Sequence, residues 1–524
     1  MLVKRFHNLI AYCWKRVSTF LENAPTPIMR SRQLFHQHKL LLRSSWAGSH
    51  SLPALPLVSP PISTRFYHST LPADESSRLS SSRAAKAVSL LPSYLVDARA
   101  VQRYSPETPN GALQLSVAEN QMLEDLLVPS LVEMYSTQAF PSDAIYYQPT
   151  HGRPATRKAM AEYLQDVLGL SRPMDVDGIV LGAGCNAVLE NLCISLAEPG
   201  EGVMIPTPYY AAFEFDLGAR AGLEVIPVTT MDYHNVDPSL PSIPEEAYYP
   251  NRESLDAAVL AAEAKGVTPR ILLISHPMNP LGICYPPHVI QEIVDWCRER
   301  KIHLVSDEIY AGSVYRPEQA NFVSTLELAS NSAETPFLGL GPYIHLVYAF
   351  SKDFALSGFR VGALYSENTE IRLALQKLND LCSISSQTQL LVERMLSTAS
   401  DDPKISWTRR FLARNRQRLR ERGDSWEQCL KELSIPHLHS TAGLFVWMDL
   451  SEFLPIDGSD DERERALYLE LLKEYGLLFT PGRSMKNERP GFFRCVFTAA
   501  TDHEFELGME RLRHYVQTKR SQLS

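Results

Sequence analysis

Residues 270–310 read RILLISHPMNPLGICYPPHVIQEIVDWCRERKIHLVSDEIY. A short apolar run, RILLIS (270–275), ends in a loop rich in proline. Apolar residues then recur at three- and four-residue intervals through PPHVIQEIVDWCRER (286–300), and a second apolar run, IHLVSDE (302–308), follows. Two short apolar runs separated by one helical period predict parallel strands joined by a crossover helix. Outward from this unit the alternation continues. GIVLGAG (178–184), EGVMIPTP (201–208), LEVIPVTT (223–230) and IHLVYAF (344–350) read as strands, with NAVLENLCISLA (186–197) and SLDAAVLAAEAKG (254–266) as helices. The pattern predicts an α/β fold with a mostly parallel sheet between helices. From about residue 400 the chain is richer in charge and reads as helices plus a few strands, a second, smaller domain.

In such sheets ligands sit outside the carboxyl ends of the strands, so the residues just after each strand carry the chemistry. After IHLVS come Asp307 and Tyr310, and after RILLIS comes His276-Pro277-Met278-Asn279-Pro280-Leu281-Gly282. IHLVYAF is followed by Ser351, Lys352 and, eight residues on, Arg360. Behind GIVLGAG, Cys185-Asn186-Ala187 opens a helix whose free backbone N–H groups suit an anion. PTPYY sets Tyr209 and Tyr210 after the next strand. Together these groups match the needs of pyridoxal 5′-phosphate. Lys352 would form the Schiff base, and Asp307 would keep the pyridine nitrogen protonated so that the ring acts as an electron sink. Asn279 and Tyr310 would donate to the ring's phenolate oxygen, Arg360 and the helix start would neutralise the phosphate, and Tyr210 would stack on the ring. Each residue alone has an ordinary structural role: surface lysine, capping aspartate, Asn-Pro turn, rim tyrosine. Their consistent placement at strand ends is what points to a site.

The same stretches resemble a known family. SVAENQM (116–122), HGRPATRKAMAEYL (151–164), PTPYY (206–210), NPLG (279–282), HLVSDEIY (303–310), SKDFALSGFRVG (351–362), AGLFVWMDL (442–450) and PGFFRCVF (490–497) are similar to motifs of the fold-type-I aminotransferases, class I and II. Within them the wording resembles the 1-aminocyclopropane-1-carboxylate synthase-like branch, fungal-type. The resemblance covers about residues 85–518. It implies a large domain with a seven-stranded sheet and a smaller α+β domain: an N-terminal arm and part of the small domain over 81–170, the cofactor-binding domain over 171–399, and the rest of the small domain over 400–524. It gives Lys352, Asp307, Tyr310, Asn279, Arg360 and Tyr210 the roles argued above. It also makes Arg494 the clamp for the substrate α-carboxylate, a pairing that suits a guanidinium fork, and Glu119 a substrate-site acid. It further implies a homodimer.

Departures from the family fall on the periphery of the cofactor set. Thr150 stands where the plant synthases carry a tyrosine that reaches the neighbouring subunit's cofactor; Tyr146 and Tyr147 lie a few residues earlier. Ala349 replaces a serine, which leaves Ser351 and the helix start to serve the phosphate; Cys185-Asn186-Ala187 replaces an alanine-threonine-glycine, and His276 an asparagine. The side-chain pocket that chooses the reaction is assigned to Glu119, Tyr210 and Thr150. Lys352, once freed by the substrate, is placed to remove the α-proton. Three outcomes stay open: transamination, carbon–sulfur lysis in sulfur-containing secondary metabolism, and cyclopropane formation. A cofactor-binding regulator is the reading from another class, but the Pro/Ser-rich start has no helix-turn-helix.

Composition narrows the partners. The net charge of −9 gives no pull toward nucleic acid or anionic membrane. No run of about 18 apolar residues occurs, so no spanning segment is expected. Eight cysteines without paired or metal-type spacing argue for a reducing compartment. His437 and His439 have metal-like spacing but no acid or cysteine partner is expected nearby, and no metal is expected. Residues 1–73 carry nine Lys/Arg against one acid, Glu22. That bias, with Arg65-Phe66-Tyr67-His68-Ser69 resembling a matrix-protease cleavage pattern, reads as a mitochondrial transit peptide. The other readings are a disordered extension of a cytoplasmic enzyme or a gene start placed too far upstream, and none packs residues 1–80 on the core. The charged stretch Asp460–Arg465 reads as a solvated helix face, and the basic run Arg409–Arg422 as an amphipathic helix against acidic neighbours.

Overall fold

In the computed structural model, which describes residues 81–137, 140–230, 244–331, 336–397 and 406–523, RILLIS and IHLVSDE form adjacent parallel strands joined by the helix Pro287–Arg300. The basic leader and its Arg65–Ser69 segment lie outside the described residues.

Twelve strands are described: β1 (Leu113–Gln114), β2 (Ile179–Gly182), β3 (Gly202–Pro206), β4 (Glu224–Val228), β5 (Pro269–Ser275), β6 (His303–Asp307), β7 (Ile344–Ala349), β8 (Gly362–Ser366), β9 (Phe445–Asp449), β10 (Leu477–Leu478), β11 (Thr480–Pro481) and β12 (Phe492–Val496). Seven make one sheet in the order β2-β8-β7-β6-β5-β3-β4. Five of them, β4, β3, β5, β6 and β7, are parallel, and β8 runs antiparallel to both β7 and β2. The period-2 side-chain alternation of strands sends β5 residues to opposite faces. Leu272 and Ile274 join a core with Val289, Ile290 and Ile293 of the crossover helix. Ile271 and Leu273 join a second core with Val188, Leu189 and Leu192 of the helix Cys185–Leu196. Both faces are covered, which is why these strands read as continuous apolar runs.

β8 went unread as a strand, because GFRVG carries two glycines and an arginine just before it. It pairs from Gly362↔Ala349 back along β7, so the segment 350–361 is the link between two antiparallel neighbours. Lys352 and Arg360 both belong to that link. Gly362 has no room for a side chain: a Cβ there would lie 2.6 Å from the carbonyl carbon of Gly184.

A three-stranded antiparallel sheet, β11-β12-β9, carries the C-terminal part. Its core takes Trp426 and Leu430 from the helix Trp407–Glu432, Leu467 and Leu471 from Asp460–Lys473, and Leu512 and Val516 from Asp502–Leu523. β1 pairs parallel with β10, which stitches the segment before 120 to this part. The basic run Arg409–Arg422 is helical and meets acids as expected: Arg418 pairs with Asp125, Arg420 with Glu318 and Arg422 with Asp502. Two other expectations need correction in part. Asp460, Asp461, Glu462 and Arg465 are exposed as expected of a solvated face, but Glu464 is buried and accepts from the backbone N–H of Arg483 (2.7 Å) and Gly491 (2.8 Å). His439 does have an acidic partner, Glu427 at 2.8 Å, which the fold supplies from the preceding helix.

Candidate active site

At the carboxyl ends of the parallel strands lies a cavity of about 260 Å³. Cys185, Asn186, Tyr210, Asn279, Asp307, Tyr310, Ser351, Lys352, Arg360 and Arg494 all line it, so most of the residues expected from scattered strand ends meet in one place. Lys352 sits in the short helix Phe350–Asp353 directly after β7, and its Nζ donates to the Ala118 carbonyl at 2.6 Å. Asp307 ends β6 and Asn279 follows β5. The helix Cys185–Leu196 starts at the cavity: Val188 is the first residue whose N–H reaches back to Gly184, so Cys185, Asn186 and Ala187 keep N–H groups without helical acceptors. Gly184 has φ +88°, and a Cβ there would come within 2.4 Å of Arg360 Nη2. The guanidinium therefore packs over bare backbone at the helix start, two cationic features at one end of the cavity.

At the other end Arg494, on β12, is 2% exposed. Its Nη1 donates to Asn279 Oδ1 (2.7 Å) and its Nη2 to the Ser116 carbonyl (2.7 Å) and Thr480 Oγ1 (3.2 Å). Its Nε, also buried, has no partner among the described residues. Because Asn279 spends its oxygen on Arg494, its amide N–H groups face the cavity as donors.

Burial tunes the charges. It pushes the Lys352 amine down to about 8, helped by the nearby Arg494 cation and opposed by Cys185, Glu119 and Asp307. It pushes the Asp307 carboxyl up to about 7, against the Ile309 N–H and the Lys352 charge. It holds the phenols of Tyr210 and Tyr310 well above their ordinary range, so both stay neutral donors.

Three expected residues stand off the cavity wall. Glu119 is exposed and reaches the site through Ser357, whose Oγ donates to its Oε1 at 2.9 Å. Ala187 is not part of the cavity wall, although Cys185 and Asn186 before it and Leu189 after it are. Thr150 turns away: its hydroxyl donates to the Gln376 carbonyl at 2.6 Å, so within this chain it offers the site nothing. Other participants escaped the sequence reading. Ser116 and Ala118 act through backbone carbonyls, which no side-chain motif announces. Tyr94, Pro92 and Leu95 form a wall from a segment without strand-end placement. Asp216, one helical turn from Phe213, enters through Asn186, whose Nδ2 it accepts at 2.7 Å; burial raises its carboxyl to about 6.

The architecture is that of the aminotransferases. Superposition on the aspartate aminotransferase of Thermus thermophilus with maleate gives a TM-score of 0.60 at 21% identity, covering 83% of this chain and 99% of that one. The aromatic aminotransferase from Pyrococcus horikoshii gives 0.60 at 20% identity, over 78% and 96%. Residues 112–512 match the profile of aminotransferase class I and II, and the chain belongs to that family of enzymes. In sequence it is similar to 1-aminocyclopropane-1-carboxylate synthase 7 of Arabidopsis thaliana, 32% identical over 79% of this chain and 88% of the relative. Synthase 4 of Oryza sativa subsp. japonica is 35% identical over 78% and 83%.

Proposed function

We propose that the cavity binds pyridoxal 5′-phosphate and that the chain uses it on an α-amino acid, as an aminotransferase or 1-aminocyclopropane-1-carboxylate synthase-like enzyme. The observation that carries this reading is the convergence of Lys352, Asp307, Asn279, Arg360 and Arg494, from four separate segments, on one cavity. The residues suit the group end to end. Arg360, Ser351 and the N–H groups of Cys185–Ala187 would hold the phosphate, Tyr210 would lie against the ring, and Asn279 and Tyr310 would donate to its phenolate oxygen. Bound there, the cofactor supplies an electron sink for negative charge at the substrate α-carbon. Asp307, an acid beside a protonated ring nitrogen, becomes the anion that keeps that proton in place. Arg494 binds the substrate carboxylate, with its buried free Nε as a further donor and Asn279 fixing its plane. Lys352, neutral in part near pH 7 because burial has lowered it to about 8, removes the α-proton as general base.

Carbon–sulfur lysis is a second reading, favoured by Thr150. It has no phenol and its hydroxyl is spent on Gln376, so it has nothing to extend toward a neighbouring subunit's cavity, where the plant synthases place a tyrosine. The fungal-type kinship rests on motif wording and length. We also infer a homodimer, since Ile145, Tyr146 and Tyr147 stand largely in solvent on the segment before Thr150.

A product assay tests the proposal. The full chain, loaded with pyridoxal phosphate, is offered S-adenosylmethionine, a cysteine S-conjugate, and common amino acids with 2-oxoglutarate, and the products are read by mass spectrometry. Aminocyclopropane carboxylate, or glutamate with a new keto acid, supports the first reading; pyruvate, ammonia and a free thiol support the second. Lys352→Ala is expected to abolish whichever appears, and full turnover by that variant would sink the scheme.

A further inference from the structure

The helix Trp407–Glu432 presents an apolar stripe to the interior: Phe411, Leu412, Leu419, Trp426 and Leu430 are all buried. Position 415, one turn after Phe411 and one turn before Leu419, belongs to that stripe. An asparagine occupies it, 0% exposed. A buried amide costs stability unless every group is paired, so its presence in an apolar row calls for a reason.

The location supplies one. Phe411 and Leu412 pack in the core of the seven-stranded sheet, whereas Leu419, Trp426 and Leu430 pack in the core of the C-terminal sheet. Asn415 thus lies where the helix passes from one core to the other. Its Nδ2 donates to the Asp353 carbonyl (3.1 Å), immediately after Lys352, and its Oδ1 accepts from Asn120 Nδ2 (2.9 Å). Asn120 in turn accepts the Met122 N–H at 3.1 Å. The lysine turn is already pinned to the sheet side: the Asp353 carboxylate accepts from Gly312 N–H (2.7 Å), Ser313 Oγ (2.5 Å) and Tyr348 OH (2.7 Å). Segment 116–120 reads both ends of the cavity through its carbonyls, Ser116 taking Arg494 and Ala118 taking Lys352. The contacts through Asn415 join that segment to the lysine turn.

We infer that Asn415 is a positioning residue for Lys352: bonded to Asn120 and to the Asp353 carbonyl, it holds the lysine turn in register with segment 116–120, so that the Ala118 carbonyl stays on Nζ. The inference rests on the proposed function, because it takes Lys352 to be the cofactor lysine. Replacement of Asn415 by leucine keeps the stripe but leaves Asn120 Nδ2 and the Asp353 carbonyl buried without partners, and the segment must move to satisfy them. When the Ala118 carbonyl leaves, the ammonium form of Lys352 loses an acceptor and its proton affinity falls. Of the other groups that act on the amine, Arg494, Cys185 and Asp307 lie outside that segment and remain, whereas Glu119 moves with it and its departure lowers the proton affinity in the same direction.

The test follows the rate at which the cofactor-free full chain develops the visible absorption of lysine-bound pyridoxal phosphate, from neutral to alkaline pH. The midpoint of that profile reports Lys352 itself, and no substrate is needed. Asn415→Leu and Asn120→Ala are each expected to lower the midpoint by about half a pH unit or more, a roughly threefold change in proton affinity. The double variant should move it no further, because both single changes break the same bond. Where Asn415→Leu fails to fold, Asn120→Ala alone carries the comparison, since it leaves the helix untouched. Lowered thermal stability with an unmoved midpoint, or shifts that add in the double variant, would overturn the inference. A wild-type chain that develops no such absorption would instead overturn the proposed function.

Discussion

Arg494 and Lys352 show how far single residues can be argued. Arg494 has the geometry of a clamp already assembled: two nitrogens anchored, the third free and buried, and a Phe445 ring beneath the guanidinium at 5.3 Å. A lysine there keeps the charge but loses the fork and releases the Asn279 amide. Arg494→Lys is therefore expected to lower kcat/KM by roughly tenfold to a hundredfold, the range for a charged hydrogen bond of about 1.5–3 kcal/mol. Steady-state kinetics on the first substrate identified would show it, and an unchanged kcat/KM would remove Arg494 from the site. Lys352 carries a cost in the cofactor-free protein. The folded chain titrates it near 8 and the unfolded chain near its ordinary 10.5. Below about 8 both states hold the proton, and the folded state bears the whole cost of a buried ammonium. Between 8 and 10.5 only the unfolded state holds it, so stability rises with pH; above 10.5 the cost is gone. Cofactor-free Lys352→Met should thus be more stable than the parent at neutral pH, by about 1–3 kcal/mol, with the gap closing on the alkaline side. Urea unfolding across pH checks the sign, and a gap that widens with pH would show that the amine is not buried as a charge. Both residues were visible in the sequence, though on different grounds. Lys352 stands out because it follows a strand. Arg494 is a plain strand arginine that only the family resemblance singles out, since its partners Ser116 and Thr480 are remote in sequence.

At the scale of elements, legibility followed burial. Strands covered on both faces, such as β5, β6 and β7, read clearly because runs of apolar residues, Ile271–Ile274 in β5, Leu304 and Val305 in β6 and Leu346–Tyr348 in β7, fill both faces. β8 is also wholly buried, yet the glycine that lets it pass Gly184 at close range disguised it. The short strands β1, β10 and β11 have two residues each and no period to detect. The same close approach yields a prediction about the helix Cys185–Leu196. Its cap, Gly184, combines φ +88° with a Cβ position 2.4 Å from Arg360 Nη2. Gly184→Ala must therefore both strain the backbone and push the guanidinium off the helix start, where phosphate charge is to be met. Loss of that charge-assisted contact is expected to weaken pyridoxal phosphate binding by at least about tenfold, with a smaller fall in thermal stability. Equilibrium dialysis gives the first and a melting curve the second. Unchanged affinity with lowered stability would mean that Arg360 does not serve the phosphate.

For the whole molecule, the chain leaves and rejoins its parts in ways no local pattern announces. The segment that supplies Ser116 and Ala118 precedes the sheet by some sixty residues, yet β1 ties it to β10 near the chain's end, and Tyr94 comes with it to the cavity wall. Charge explains little of this, because the surface ion pairs are individually weak. Apolar exposure says more. Tyr147 is fully exposed, Ile145 and Tyr146 are 68% exposed, and Leu381 is 87% exposed. These residues share one region, because Ser386 donates to the Ala144 carbonyl and Thr150 to Gln376, joining segment 142–150 to the stretch 376–386. A row of large apolar side chains without cover is expensive in water, and a second copy placed by a two-fold axis can cover it with the same row. The expectation is that the wild-type chain sediments as a dimer and that Tyr147→Asp with Leu381→Asp shifts it toward the monomer, without loss of secondary structure. Analytical ultracentrifugation at several concentrations decides it: a wild-type monomer throughout, or a double variant that dimerises as tightly as the parent, would place the interface elsewhere or dismiss it. Activity adds a further discriminant. Every cavity residue identified here comes from one chain, so a monomeric variant that still binds pyridoxal phosphate but turns over poorly would mean that the segment around Tyr147 serves the neighbouring cavity.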